Sequence, residues 1–192
     1  MRSYQVTVPA TVDLLTLSET KEHLKVDVDA DDTLITNLIK AATSSCEEYT
    51  NRFFLKTTIK QYSDVWAEIS ELLKSPVQTT LFSISYYDTD ETLQTLLASE
   101  YSLDNISMPA RIWAAPNKSF PNLSSRINAV EVTYNVGVDT AAEVDNAIKQ
   151  AVLLTIGHWY ANRETVVVGR IASEVPMAAK YLLDQYKIQV LR

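Results

Sequence analysis

Glycine is scarce in this chain. Three glycines occur in 192 residues, and Gly137, Gly157 and Gly169 stand far apart. Loops that cradle phosphates need clustered glycines, because the backbone N–H groups must approach the ligand closely. The scarcity therefore argues against a nucleotide-binding loop.

Cysteine and histidine are also rare, which leaves few ligands for a metal. Cys46 is the single cysteine, so the chain has no internal disulfide framework and no thiolate zinc cluster. His23 and His158 are too far apart in sequence to suggest a metal site. The acidic segment 27–32, DVDADD, starts like an EF-hand, but the required glycine and bidentate glutamate are missing. We predict no metal and no cofactor, and interpret the segment as a solvated helix start whose carboxylates satisfy free N–H groups.

Positive charge and long apolar runs are lacking as well. Lysine and arginine total 17 against 24 aspartates and glutamates, which gives a net charge of -7. A protein that holds DNA by its phosphates needs a basic face. No window approaches the 18 or so apolar residues of a membrane span, and the start lacks the apolar core of a signal peptide. We therefore expect no membrane association and synthesis in the cytoplasm.

Two helices are predicted near the start of the chain. Thr16 and Glu19 have capping-box spacing, which predicts a short helix to about Leu24. Residues 31–51 repeat apolar side chains at helical spacing. One stripe contains Leu34, Leu38, Ala42 and Tyr49. The apolar residues beside this stripe are Ile35, Ile39 and Cys46. This placement makes Cys46 a small core residue rather than a nucleophile.

Residues 53–137 have the residue pattern of β-strands. The stretches TTIKQYSDVW, LFSISYYD and INAVEVTYNV alternate with period two and are rich in β-branched and aromatic residues. Residues 88–92, DTDET, are predicted to form a hairpin loop. No linker rich in Gly, Ser or Pro separates this region from the helices. We interpret residues 53–137 as a β-rich insertion within a single domain, 1–192.

Two more helices are predicted towards the end. Thr140 and Glu143 again have capping-box spacing, and residues 142–162 are apolar around most of the helix circumference. Such a helix is buried on several sides, by its own fold or by neighbouring subunits. Pro176 suits the first turn of a final helix. Its apolar positions include Met177, Ala178, Tyr181, Leu182 and Tyr186. The fold class is thus α+β, with a helical core of two N-terminal helices, a long third helix and a C-terminal helix, and a small antiparallel sheet inserted.

The segment HWYANRETVVVG, residues 158–169, is the candidate functional segment. Trp159 and Tyr160 are predicted to anchor the end of the third helix in the core. Three consecutive valines in an extended segment cannot all face one core, so at least one should face outward and meet a partner. The candidate assembly interface comprises Arg163, Glu164, Val166, Val167, Val168 and Gly169. The alternative is a buried loop covered by the final helix.

Catalysis has no visible site in the sequence. No G-x-S-x-G elbow or other recognisable pairing of nucleophile and base occurs. We predict that the protein is not an enzyme. Two alternatives stay open: a small enzyme or ligand-binding domain with an unrecognised site, and a DNA-binding packaging or regulatory protein. The second would use the first two helices as a helix-turn-helix, but the segment between them is acidic, which is wrong for contact with phosphates.

Several stretches in a fixed order resemble one protein family. They are residues 15–52, SISYYDTDET, YSLD, PARIW, VEVTYNVG and residues 147–169, followed by VPMAAKYLLDQY. In this order they resemble the head–tail connector (adaptor, head-completion) proteins of tailed double-stranded DNA phages and gene-transfer particles. The chain departs from the family pattern at Asp145, where a proline is expected, and in the DTDET loop, which lacks the usual glycine.

The resemblance implies a structural role in the virion. Family members form a ring, typically of twelve subunits, beneath the portal, and the ring extends the DNA channel. The implied partners are further copies of the chain, the portal protein and a head-closure or tail-completion protein. DNA would pass through the lumen without sequence-specific binding, and acidic character suits that passage. The implied location is the head–tail interface of a virion made in the cytoplasm of a bacterial host.

Overall fold

The described residues of the chain fall into two compact units. The computed structural model describes residues 2–163, 166–167, 170–171 and 176–188. A β-rich unit contains residues 2–10 and 56–138 together with residue 188, and a helical unit contains the other described residues between 11 and 187. The mixture of α-helices and antiparallel sheets confirms the α+β class. The β-rich unit includes residues 2–10, which lie outside the predicted insertion 53–137.

Four α-helices make up most of the helical unit. They are α1 (Leu17–Leu24), α2 (Asp32–Thr50), α3 (Asn146–Ala161) and α4 (Met177–Asp184). Over the described part of the chain, every helix is too short or too polar to cross a membrane. The predicted capping box of α1 is confirmed, because the Thr16 hydroxyl accepts from the Glu19 N–H at 3.2 Å and the Glu19 carboxylate accepts from the Thr16 N–H at 2.9 Å.

The buried face of α2 differs slightly from the predicted stripe. The buried residues are Ile35, Ile39 and Cys46 of the neighbouring row, together with Ala42 of the first stripe and Thr50. Leu34, Leu38 and Tyr49 lie at its half-buried margins. Thr50 tolerates burial because its hydroxyl donates to the Cys46 carbonyl at 2.8 Å. The core therefore lies between the two predicted rows rather than on the first.

The predicted start of the third helix is wrong. Thr140 and Glu143 flank a single 3-10 turn, Ala141–Glu143, and the Thr140 hydroxyl donates to the Glu143 carboxylate at 2.8 Å instead of capping a helix. Val144 has an extended backbone (ψ 133°), which ends the helical turn there. The α-helix begins two residues later, where the Asp145 carboxylate accepts from the Ala147 N–H at 2.9 Å. The residue that departs from the family pattern is thus the N-cap of α3.

The β-rich unit is built on a five-stranded antiparallel sheet. Its strands are β1 (Ser3–Val8), β2 (Thr57–Ser63), β3 (Val77–Tyr87), β4 (Leu93–Thr95) and β7 (Val130–Val136), and their order across the sheet is β1-β2-β7-β3-β4. A separate antiparallel pair is formed by β5 (Tyr101–Asp104) and β6 (Arg111–Ala114). The sequence predicted the central strands but not β1.

Alternation along β2 and β7 explains how the sheet forms its core. Alternate residues of β2 are buried, as the period-two pattern predicts. Gln61 is also fully buried, and its side-chain carbonyl accepts from the Tyr134 hydroxyl at 2.9 Å and the Leu73 N–H at 3.0 Å. Burial raises the pKa of Tyr134, which keeps its hydroxyl protonated as the donor. The sheet therefore contains a polar contact between the neighbouring strands β2 and β7.

The predicted hairpin loop at residues 88–92 is confirmed, and it closes without glycine. The Asp88 carboxylate accepts from the N–H groups of Asp90 (3.0 Å) and Thr92 (2.9 Å). Glu91 takes the left-handed conformation, with φ of 57°, that a glycine would otherwise occupy. The hydrogen bonds to Asp88 offset the cost of this left-handed conformation. An aspartate side chain at a turn can accept from backbone N–H groups in place of a backbone carbonyl.

Candidate assembly surface

The end of α3 carries the predicted candidate segment and lies within the helical unit. The last turn ends at Asn162, whose backbone N–H and side-chain amide both donate to the His158 carbonyl, at 3.1 and 2.8 Å. This double contact satisfies a carbonyl that the helix end would leave unpaired. The direction of the chain is thereby fixed where the segment leaves the helix.

Trp159 and Tyr160 are half-buried rather than buried in the core. The fully buried residues of α3 come earlier, and they are Ile148, Ala151, Val152, Thr155 and Ile156. Tyr160 nevertheless ties down the helix end, because its hydroxyl donates to the carboxylate of Asp31 at the start of α2. The anchoring role of Tyr160 thus depends on a hydrogen bond between two helices, more than on burial of its ring.

Arg163 completes a three-residue cluster with Asp31 and Tyr160. Its Nη2 donates to the Asp31 carboxylate at 3.0 Å, and its guanidinium carbon lies 4.5 Å from the centre of the Tyr160 ring. Hydrogen bonds from Tyr160 and then Arg163 lower the pKa of Asp31, and the same contact with Asp31 raises the pKa of Tyr160. Half of the Arg163 side chain remains exposed. Arg163 is therefore held in one orientation while part of it faces solvent.

The acidic segment before α2 forms ion pairs within the helical unit. Lys21 Nζ lies 2.8 Å from the Asp29 carboxylate and 2.6 Å from that of Asp32, and Asp29 first, then Asp32, raises the pKa of Lys21. Asp31 makes no side-chain cap for α2. The expectation that these carboxylates satisfy free N–H groups is therefore wrong for Asp31, which binds Tyr160 and Arg163. Through its ion pairs and hydrogen bonds, the segment links α1, the start of α2 and the end of α3.

The segment after Arg163 includes a short antiparallel pairing. Val166 and Val167 form β8, which pairs with β9 (Arg170–Ile171), with Val166 opposite Ile171 and Val167 opposite Arg170. Glu164, Val168 and Gly169 of the predicted interface lie outside the described residues. The extended backbone at Val166 and Val167 matches the geometry on which the outward-valine prediction rests. That prediction and the interface itself stay predictions.

The single cysteine and His23 show no arrangement for chemistry. Cys46 is fully buried with its Sγ 3.9 Å from the Thr155 hydroxyl, and burial raises the pKa of the thiol to about 11. A protonated, buried thiol is a poor nucleophile. His23 is exposed, and a Cβ added at Gly157 would lie 3.6 Å from the His23 Nε2. Among the described residues, no group of three or more His, Cys, Asp or Glu side chains could hold a metal ion.

Helix α4 carries two exposed apolar side chains whose exposure the sequence pattern did not predict. Ala179 and Leu183 are buried, whereas Met177 and Tyr181 are 86% and 82% exposed. Both pairs have i, i+4 spacing, so periodicity alone does not decide which of them faces inward. The helix is held to α2 by a hydrogen bond from the Tyr49 hydroxyl to the Asp184 carboxylate.

Comparisons with known proteins agree with the resemblance seen in the sequence. Residues 14–102 match the family described as phage gp6-like head-tail connector protein. No curated protein matches the sequence. The family match confirms the resemblance to head–tail connectors that the sequence shows.

Eight solved chains match the structure, and chains of gene transfer agent particles are among them. A chain of the "neck of empty GTA particle computed with C6 symmetry" matches with a TM-score of 0.76 at 20% identity. Chains of the "virion of native gene transfer agent (GTA) particle" and of the "neck of native GTA particle computed with C12 symmetry" match with TM-scores of 0.75 and 0.72, at 19% and 20% identity. Each comparison covers 100% of this chain and 97% of the other. At these identities the likeness shows a shared fold.

Proposed function

We propose that this chain, which resembles the head–tail connector family, is a virion protein that forms a ring beneath the portal and joins the phage head to the tail. The observation that carries the proposal is the match of residues 14–102 to that family. A fold shared over the whole chain with proteins of particle necks supports it. The protein acts by assembly, without catalysis. Its helical core and β-rich insertion, 53–137, work as one connector domain.

A ring of this chain requires two different surfaces on each subunit. In a closed heterologous assembly, one face of a subunit meets a different face of its neighbour. Two of the similar necks were computed with C6 and C12 symmetry. We take twelve subunits as the number in the particle, in keeping with the second of these.

The segment at the end of α3 supplies one of the two surfaces. The Asp31 carboxylate and the Tyr160 ring hold Arg163 in place, with half of its side chain exposed. An oriented arginine loses less side-chain freedom on binding than a mobile one, which favours its use in an interface. The proposed interface comprises Arg163, Glu164, Val166, Val167, Val168 and Gly169.

The other partners follow from the proposed position in the particle. The portal protein would bind on one side of the ring, and a head-closure or tail-completion protein on the other. The net charge of -7 suits a lumen through which DNA slides without sequence-specific binding, since a basic lumen would hold the phosphates. The protein would be made in the bacterial cytoplasm and then reside at the head–tail interface.

Val167→Asp tests the proposed interface. A charge at an apolar contact opposes assembly, so we expect a folded protein that enters particles poorly. Val65→Asp is the matched control, because Val65 is an exposed valine of the β-rich unit, and it should enter particles normally. Circular dichroism checks folding, and immunoblots of purified particles measure incorporation. Normal incorporation of Val167→Asp would remove the interface, and global unfolding would favour a buried loop.

A further inference from the structure

Helix α4 presents an apolar face to solvent. Met177 and Tyr181 are both strongly exposed, and their i, i+4 spacing places them one turn apart on the same side of the helix. The two charged side chains of α4 contact α2 instead. The Asp184 carboxylate accepts from the Tyr49 hydroxyl, and the Lys180 ammonium lies 5.8 Å from the centre of the Tyr49 ring. The exposed side of α4, called here the α4 face, is therefore apolar apart from one phenol hydroxyl.

An open groove of about 440 Å³ lies along α1. The residues that line this α1 groove are Leu17, Ser18, Lys21, Glu22, Val26 and Asp27. Leu17 and Val26 are half-buried and give it an apolar part. The Lys21 ammonium is held by two aspartates that do not line the groove. Among the described residues, nothing pairs with the carboxylates of Glu22 and Asp27. The groove thus suits an apolar side chain that carries a hydrogen-bond donor, and tyrosine is such a side chain.

The α4 face and the α1 groove belong to different parts of the helical unit. The groove is tied to the first turn of α2, where Lys21 binds Asp32, and α4 is tied to the last turn, where Tyr49 binds Asp184. With 19 residues, α2 is about 28 Å long. The exposure of Tyr181 shows that a single copy does not fill its own groove. Two different surfaces of this kind are what a closed heterologous ring requires of each subunit.

The α1 groove adjoins the interface proposed at the end of α3. Lys21, which lines the groove, binds Asp32, and the preceding residue Asp31 binds Arg163. The groove and the exposed part of Arg163 therefore belong to one continuous surface around the start of α2. This surface is one of the two that a ring needs, and the α4 face is an apolar candidate for the other.

We infer that in the assembled ring the α4 face of each copy docks in the α1 groove of the next copy. The Tyr181 ring packs on Leu17 and Val26, and its hydroxyl donates to a carboxylate of the groove. Charge favours this pairing, because the groove carries two unpaired carboxylates and the single carboxylate of α4 is held by Tyr49. The inference rests on the proposed function, since it requires a ring of this chain.

Cysteine cross-linking tests the docking in the full-length protein. Tyr181→Cys would be combined in turn with Ser18→Cys and with Glu22→Cys. The native Cys46 does not interfere, because it is buried. Oxidation of purified rings or particles should give a ladder of covalent oligomers up to the ring size for at least one of the two pairs. The matched control combines Tyr181→Cys with Ser102→Cys, an exposed position of the β-rich unit, and should give no ladder.

A charge exchange tests the same contact independently. Tyr181→Glu places a carboxylate against those of the groove and should lower ring formation by about tenfold or more. Native mass spectrometry or electron microscopy measures the rings, and circular dichroism checks folding. Addition of Glu22→Lys supplies the opposite charge and should restore most of the rings. The control Val65→Glu changes an exposed valine of the β-rich unit and should leave ring formation unchanged.

The outcomes separate the docking from the proposed function. Rings of this chain that give no ladder with either pair, or that form normally with Tyr181→Glu, overturn the docking and leave the proposed function standing. Cross-linking of Tyr181→Cys to the portal or to a head-closure protein, instead of to a second copy, also overturns it. A wild-type chain that is absent from particles and forms no rings overturns both. If Tyr181→Glu fails to fold, the cross-linking result decides.

Discussion

Replacement of Leu183 by alanine is the sharpest test of how the helical unit is held together. Leu183 is fully buried on α4, and the substitution removes three carbon atoms from the core. At about 0.8 kcal/mol for each carbon the transfer loss is about 2.4 kcal/mol. Incomplete collapse of the cavity raises the expected loss of unfolding free energy to about 3–4 kcal/mol. Tyr181, on the same helix, is 82% exposed, so Tyr181→Ala should change the stability by less than about 0.5 kcal/mol.

Ellipticity at 222 nm during urea unfolding measures the difference, because all four α-helices belong to the helical unit. The midpoint should fall for Leu183→Ala with an unchanged slope, and the melting temperature should fall by about 6–12 °C for a loss of 3 kcal/mol. Equal losses for the two variants, or a loss below about 1 kcal/mol for Leu183→Ala, would show that α4 does not pack by its Ala179–Leu183 face.

Three further predictions concern local contacts. Thr16→Ala removes the capping box of α1 and should cost about 1 kcal/mol in a urea titration, whereas the exposed Ser18→Ala should cost much less. Cys46, with its pKa raised to about 11 by burial, should react with a thiol reagent at pH 8 only after unfolding; rapid labelling of the native protein would refute its burial. The pKa of Asp31 is lowered by its hydrogen bonds to Tyr160 and Arg163, so its stabilising contribution should be complete above the unfolded pKa of about 3.9 and disappear as pH falls through the lower folded value. The stability difference between wild type and Asp31→Asn should therefore shrink in acid, and a difference independent of pH would contradict the contact.

Local signals in the sequence were sufficient for the elements whose stabilising contacts are close in sequence. The capping box at Thr16 and the turn at residues 88–92 depend on neighbours within four residues, and both form as predicted. The same signal misled at Thr140, because the extended Val144 stops the helix after a single turn. A capping box indicates that a helix starts, but it does not determine how far the helix continues.

Contacts between distant segments could not be predicted. Strand β1 is exposed along its whole length, so no alternation of buried and exposed residues marks it, and only the pairing with β2 defines it. The cluster of Asp31, Tyr160 and Arg163 joins two helices more than a hundred residues apart in sequence. The sequence did single out Tyr160 and Arg163, because they lie in the candidate segment, but it gave no partner for them.

Imaging of particles tests the central claim most directly. Electron microscopy of purified particles, with this chain marked by a tag or an antibody, would show where it lies and in what number. The proposed function predicts a ring of this chain at a single vertex, between head and tail, and filled heads without tails when its gene is deleted. Label spread over the capsid or absent from particles, or normal tailed particles without the gene, would contradict it.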